Sequence, residues 1–217
     1  MANDKIVTSK EVILKNIRKA LLAKSESLPQ QVDLDQEIYV HEAGDLSEVF
    51  SGNFISNNGT FLYCFNKYDF VDQFLLLVES RGWLELRTYN ESIQSLFKEV
   101  DFPFENTALH DVEVGITLCD ALIARTGSII VNTENNLSRV ISIYPPVHIV
   151  LAYSDQIYYD LKDYFASEHY NQVKAKSSMV SIISGPSRTA DIEKTLVLGA
   201  HGPKELYVFY IDQSHHN

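Results

Sequence analysis

A chain of 217 residues is long enough for one large domain, and 45% hydrophobic with 22% charged residues is globular composition, not that of a disordered chain. With 18 Lys/Arg against 29 Asp/Glu the net charge is −11, which argues against nucleic acid as the main partner, because phosphate binding needs a basic footprint. No apolar run approaches the ~20 residues of a membrane span, and MANDKIVTSKE lacks the apolar core of a secretory signal, so a cytoplasmic location is expected.

Residues 8–24 (TSKEVILKNIRKALLAK) predict a helix: Thr8 and Glu11 have capping-box spacing, and Ile13, Ile17, Ala20 and Leu21 share one face. Residues 1–25 hold six Lys/Arg against two acids, so the other 192 residues carry −15. A basic amphipathic helix can lie on a membrane or hold a partner. This one has no Trp or Phe on its apolar face, and packing on its own domain or a neighbouring subunit is expected. Residues 25–36 read as a polar linker, which divides the chain into an arm, 1–36, and an α/β domain, 37–217.

From about residue 38 the pattern alternates. TFLYCF (60–65) predicts a strand, 67–80 a helix with Phe70, Phe74, Leu75 and Val78 at helical spacing, 83–88 a strand, and 93–100 a short helix. Such alternation predicts an α/β layered sheet with crossover helices. The second half is richer in turns, with five of nine glycines and four of six prolines between 115 and 203. Residues 112–132 read as extended segments around a tight turn at Thr126-Gly127. Residues 137–152 predict a short helix, a break at Pro145-Pro146 and a buried strand; Ile157, Leu161 and Phe165 mark another helix. MVSII (179–183) is a strand leading into SGPSRTADIE, and ELYVFYI (205–211) is the last strand.

Three segments carry candidate chemistry. In SGPSRTADIE, Gly185 permits a close backbone approach, and Pro186 suits the first turn of a helix whose N-terminus would attract an anion. Ser184, Ser187 and Thr189 offer hydroxyls, Arg188 could fork onto a phosphate or carboxylate, and Asp191 could orient Arg188 or serve as a base. The bland alternative is a capped helix with a local Arg–Asp pair. In LGAHGP, His201 sits in a constrained turn, where it could donate a hydrogen bond to an anion, act as a general acid, or merely bond a backbone carbonyl. In TLCDALIARTGS, Asp120 is a second candidate base, and Thr126, Gly127 and Ser128 shape either a ligand pocket or the capped end of a hairpin. Arg139, with Arg125 and Arg188, would make an anion site if the three converged. His148 reads as a core histidine.

Neither GxxxxGK[ST] nor GxGxxG occurs. Cys64 and Cys119 are far apart in sequence without a CxxC, and the histidines lack ligand spacing, so no metal or other cofactor is expected to be held by this chain.

In order along the chain, GITLCDALIARTGSIIV (115–131), SRVISIYPPVHIVLA (138–152), ISGPSRTADIEKTLVLGAHGP (183–203) and ELYVFYI resemble the lactate-utilization protein C family of the LUD-domain group. The resemblance covers nearly the whole chain, the N-terminal helix included. It implies a three-layer α/β/α fold with a mostly parallel central sheet, similar to the NagB/RpiA/CoA-transferase group. It also implies work in bacterial lactate oxidation beside companion proteins that carry the iron–sulfur clusters. The resemblance supplies no reaction for these residues, so a partner-dependent subunit and a free-standing enzyme on a phosphorylated or CoA-linked substrate both stay open. The family often has an acid before the TG turn (AETG), where this chain has Arg125.

Overall fold

The structure is a computed structural model that describes residues 9–22, 44–102, 104, 108–132, 136–177, 179–189 and 197–213. The chain divides into two compact units, Met1–Val40 and His41–Asn217. In the first, α1 (Ser9–Leu22) is a helix with no buried residue, its apolar row Ile13, Ile17 and Leu21 included. Thr8 of the expected capping box and the linker 25–36 lie outside the described residues.

The second unit begins with α2 (Leu46–Ser56), capped where Asp45 Oδ1 accepts from the Ser47 N–H at 2.7 Å. Next come β1 (Thr60–Cys64), α3 (Lys67–Arg81), β2 (Leu86–Arg87), α4 (Glu91–Lys98) and β3 (Val114–Leu118). Asn66 starts α3 by accepting from the Tyr68 and Asp69 N–H groups at 2.9 and 3.0 Å, and Gly82 ends it in the left-handed region (φ 67°). Asn66→Ala should therefore cost about 1 kcal/mol, read as a lower urea midpoint with an unchanged slope.

The chain continues through the hairpin β4 (Ala121–Ile123) and β5 (Ser128–Asn132), α5 (Asn136–Ile141), β6 (Val147–Tyr153), β7 (Ile157–Tyr158), α6 (Leu161–Ala166) and α7 (Glu168–Val173). It ends with β8 (Val180–Ile183), β9 (Arg188–Thr189), β10 (Val197–Leu198) and β11 (Glu205–Ile211).

Five strands form a parallel sheet in the order β1-β11-β6-β3-β2. Alternate residues along each strand serve opposite faces. Tyr207, Phe209 and Ile211 of β11 meet Phe70, Phe74 and Val78 of α3 and Ile93 and Phe97 of α4, a core built on ring contacts such as Phe74–Phe97 at 4.7 Å. Leu206, Val208 and Tyr210 face the other way, onto Phe50 and Phe54 of α2 and onto Leu122, Ile129 and Val131.

On that face, where a second layer of helices is expected, α2 is joined by a second sheet, ordered β7-β4-β5-β8, whose far side packs on Tyr164 of α6. The reason is spacing. β3, β4 and β5 follow each other across two and four residues, too few for a crossover helix, so β5 must turn back antiparallel to β4.

Candidate functional site

Residues 184–189, the described part of the segment after β8, do not open a helix as expected. Ser184 leads through Gly185 (φ 108°) into strand β9, which pairs antiparallel with β10. β8 belongs to the second sheet, so the crevice beyond the carboxyl ends of the parallel strands is not where this loop lies. A Cβ on Gly185 would fall 2.4 Å from the Asn57 carbonyl oxygen, and Arg188 Nη2 donates to that same oxygen at 2.6 Å. Arg188, expected as an anion clamp, thus ties the loop to the end of α2. Asp191 lies outside the described residues.

The pairing of the SGPSRT and LGAHGP segments is a spatial fact. The Ser187 N–H donates to the Pro203 carbonyl at 2.8 Å, the Gly199 N–H donates to the Ser187 carbonyl at 2.9 Å, and Thr189 opposes Val197. The turn is in turn fastened to the amino end of β6, where the Lys204 N–H donates to the Pro146 carbonyl at 2.7 Å. Between this turn and α5 lies a cavity of about 550 Å³. Val140, Ile143, Tyr144 and Pro146 supply its apolar wall, and Arg139, His201 and Lys204 its basic groups; among the described residues no Asp or Glu lines it. It opens at the amino ends of β6 and β11, opposite the edge that open α/β sheets ordinarily use.

The three arginines do not form one clamp. Arg125 is forked onto Asp160, Nε to Oδ2 at 2.7 Å and Nη2 to Oδ1 at 3.2 Å, and that hydrogen-bonded guanidinium holds the Asp160 carboxyl below its usual 3.8. Arg139 reaches the cavity and has Met179 Sδ 3.8 Å from Nη1.

Thr126, Gly127 and Ser128 serve the joint between α2 and the second sheet. Asn53 Nδ2 donates to the Ala124 and Arg125 carbonyls, Asn57 Nδ2 donates to the Thr126 carbonyl at 2.9 Å, and Ser128 Oγ lies 2.6 Å from Ser184 Oγ. The sequence pattern singles out none of Asn53, Asn57, Asp160 or Lys204. Asp45 followed by Leu46, Val49, Phe50 and Phe54 at helical spacing was the signal for α2.

A second concavity, of about 600 Å³, lies at the carboxyl edge of β3, with Thr117 and Asp120 among its walls. Thr117 Oγ1 is 2.9 Å from His148 Nε2, and complete burial drives the His148 pKa from 6.5 down to about 3, so its ring is neutral. Burial raises both thiols, Cys64 to about 12, which leaves neither cysteine a thiolate nucleophile at neutral pH. Among the described residues no group of three His, Cys, Asp or Glu side chains is placed to hold a metal ion, and no helix is long and apolar enough to cross a membrane.

The fold is thus an α/β protein built on a five-stranded parallel sheet, with a basic cavity at one end and a polar one at the other. The LUD domain matches residues 85–211, more than half of the chain, and the chain belongs to the LUD domain family. An uncharacterized protein of Neisseria meningitidis serogroup B is 33% identical over 105 residues, 48% of this chain and 45% of that protein. Lactate utilization protein C 1 of Bacillus mycoides is 33% identical over 120 residues, 54% of this chain and 49% of its own length. Lactate utilization protein C of Shouchella clausii is 31% identical over 103 residues, 46% and 44%. The matches span about half the length of these relatives. The crystal structure of a DUF162 family protein from Deinococcus radiodurans superposes with a TM-score of 0.56 at 15% identity, covering 79% of this chain and 99% of that one, which is a likeness of fold.

Proposed function

We propose that the protein is a subunit of a cytoplasmic lactate-oxidising system that binds an anionic small molecule in the cavity between α5 and the 199–204 turn. Its companions in that system would carry the iron–sulfur clusters, and this chain would hold no cofactor. Support comes from membership of the LUD domain family and from relatives named lactate utilization protein C.

The observation that carries the site is the composition of the cavity wall. Among the described residues of that wall, Arg139, His201 and Lys204 meet an apolar floor and no Asp or Glu is present, in a chain whose net charge is −11. A carboxylate or phosphate would fork onto Arg139 and take a second contact from Lys204, while the carbon skeleton lies on Val140 and Ile143. His201, exposed at the mouth, would donate the outer hydrogen bond. This moves the anion clamp from Arg188 to Arg139 and Lys204; Ser187 and Thr189 act by shaping the turn.

Arg139→Ala should weaken binding of the stabilising anion roughly tenfold and abolish lactate-dependent growth, while the thermal midpoint without ligand stays within a few degrees. Unchanged growth together with unchanged anion binding would remove the cavity from the function.

The volume of the cavity exceeds that of a three-carbon acid, and this favours a second reading: an enzyme on a larger phosphorylated or CoA-linked substrate, as the fold kinship with the NagB/RpiA/CoA-transferase group would suggest. A thermal-shift panel of lactate, pyruvate, sugar phosphates and CoA esters separates the two. Strong stabilisation of the isolated chain by one phosphorylated compound selects the enzyme. Co-purification with an iron–sulfur protein selects the subunit.

A further inference from the structure

The cavity at the carboxyl edge of the parallel sheet is chemically unlike the basic one. It lies where β3 ends at Leu118, beside Asn90 and Glu91 at the start of α4 and against the last residue of β5. Open α/β sheets bind ligands at such an edge, because the strands end there and the loops that follow present polar groups to one crevice. Its wall includes Tyr89, Glu91, Ser92, Thr117, Asp120 and Asn132, and among the described residues no Lys, Arg or His lines it.

Asn132 is the informative residue. Its Oδ1 and Nδ2 are both buried, and neither has a hydrogen-bond partner among the described residues. Buried amides are nearly always bonded, because an unpaired donor or acceptor forfeits its hydration with nothing in return. Gln156, a second amide in the same wall, shows the usual state: Nε2 donates to the Cys119 carbonyl at 2.8 Å and Oε1 accepts from the Tyr153 N–H at 2.8 Å.

The donors and acceptors choose the ligand class. An anion could accept from Asn132 Nδ2 but would face the carboxylates of Glu91 and of Asp120, whose Oδ1 has His169 Nε2 3.9 Å away. An ammonium could donate to those carboxylates and to Asn132 Oδ1 but would leave Nδ2 unpaired. Hydroxyl groups both donate and accept, and vicinal hydroxyls can span an amide and a carboxylate side by side. We propose that this cavity is a binding site for a neutral polyhydroxylated small molecule, a sugar or polyol, held by Asn132 and Asp120. The site is separate from the anion cavity and stands or falls without it.

The test is a titration of the full chain followed by the Asn132 side-chain NH₂ resonances in nitrogen-15 NMR, with D-ribose, D-glucose and glycerol as probes and phosphate and methylammonium as charged controls. The expected result is a saturable shift with at least one of the three neutral probes, and little with either ion. Asn132→Ala and Asp120→Asn, followed through the backbone N–H of residues 117 and 120, should each weaken that binding roughly tenfold. Asp120→Asn keeps the shape of the side chain, so it decides the matter if Asn132→Ala fails to fold. No saturable response to any neutral probe, a stronger response to phosphate or methylammonium, or binding retained in Asp120→Asn would overturn the proposal.

Discussion

Gly127→Ala is expected to remove about 3–5 kcal/mol of folding stability, a large part of the 5–15 kcal/mol that holds an ordinary domain together. Two costs add. Gly127 has φ 57°, a left-handed conformation that costs a residue with a Cβ about 1–2 kcal/mol. The added Cβ would also fall 2.4 Å from the Phe54 backbone nitrogen and 2.5 Å from the Asn53 carbonyl carbon, so α2 would have to lift from the turn it packs on. Asn53 and Asn57 would then lose their hold on the carbonyls of residues 124–126. Urea unfolding of the wild type and the variant measures the loss. A cost below about 1 kcal/mol would show that the close approach of α2 to the hairpin is not a structural requirement.

Acid sensitivity between pH 6.5 and 3 is expected to come in large part from His148. In the folded chain burial holds its pKa near 3, so the ring stays neutral; in the unfolded chain it takes a proton below about 6.5. Between those values the unfolded state binds the extra proton, so this contribution to stability is complete above pH 6.5 and falls as pH drops, by about 1.4 kcal/mol per unit. The loss is roughly 2 kcal/mol by pH 5. His148→Gln, which keeps a polar partner for Thr117 but cannot be protonated, should flatten the slope of stability against pH over that range. Equal slopes for the two proteins between pH 7 and 5 would mean that His148 is hydrated in the native state. Asp160 acts lower on the scale: its folded pKa lies below 3.8, so its share of stability is complete above that value and is lost only as pH falls through the folded pKa.

The elements with strong local signals are where the pattern places them. Helix 67–80 is found as Lys67–Arg81, ELYVFYI is β11 residue for residue, and the tight turn at Thr126-Gly127 closes a hairpin. Period-3.6 apolar spacing, alternation and a glycine in a turn are local properties, and a chain carries them whatever it packs against. SGPSRT failed as a helix start because its backbone found a better partner. Residues 188–189 pair with 197–198, and the N–H of Ser187 donates to the Pro203 carbonyl, a bond between residues sixteen apart that outweighs a local capping preference. The helix α2 went unread although its cap and apolar spacing are present, and with it went the explanation of the TG turn as its seat.

The candidate sites divide in the same way. Residue types were legible: Arg139, His201 and Asp120 all line cavities. Their grouping was not. Arg125, Arg139 and Arg188 look alike in a sequence, and each has a different neighbour in the fold, Asp160, the basic cavity and the Asn57 carbonyl. A side chain's partner depends on contacts across tens of residues, and no window of sequence contains both ends of such a contact. By itself the sequence determined the α/β class, the family and the positions of the longer strands, because burial of alternate or every third-to-fourth apolar group is written locally; it placed Ile157 and residues 188–189 in helices, where the short strands β7 and β9 run. The tertiary structure alone decided that one face of the parallel sheet is covered by a second sheet, and that the motifs 184–189 and 199–203 meet at its amino edge. It also left Asn132, at the carboxyl edge, with its amide buried and without a partner among the described residues. These outcomes follow from packing two sheets and their helices into one volume, where the location of each polar group is settled by what lies opposite it.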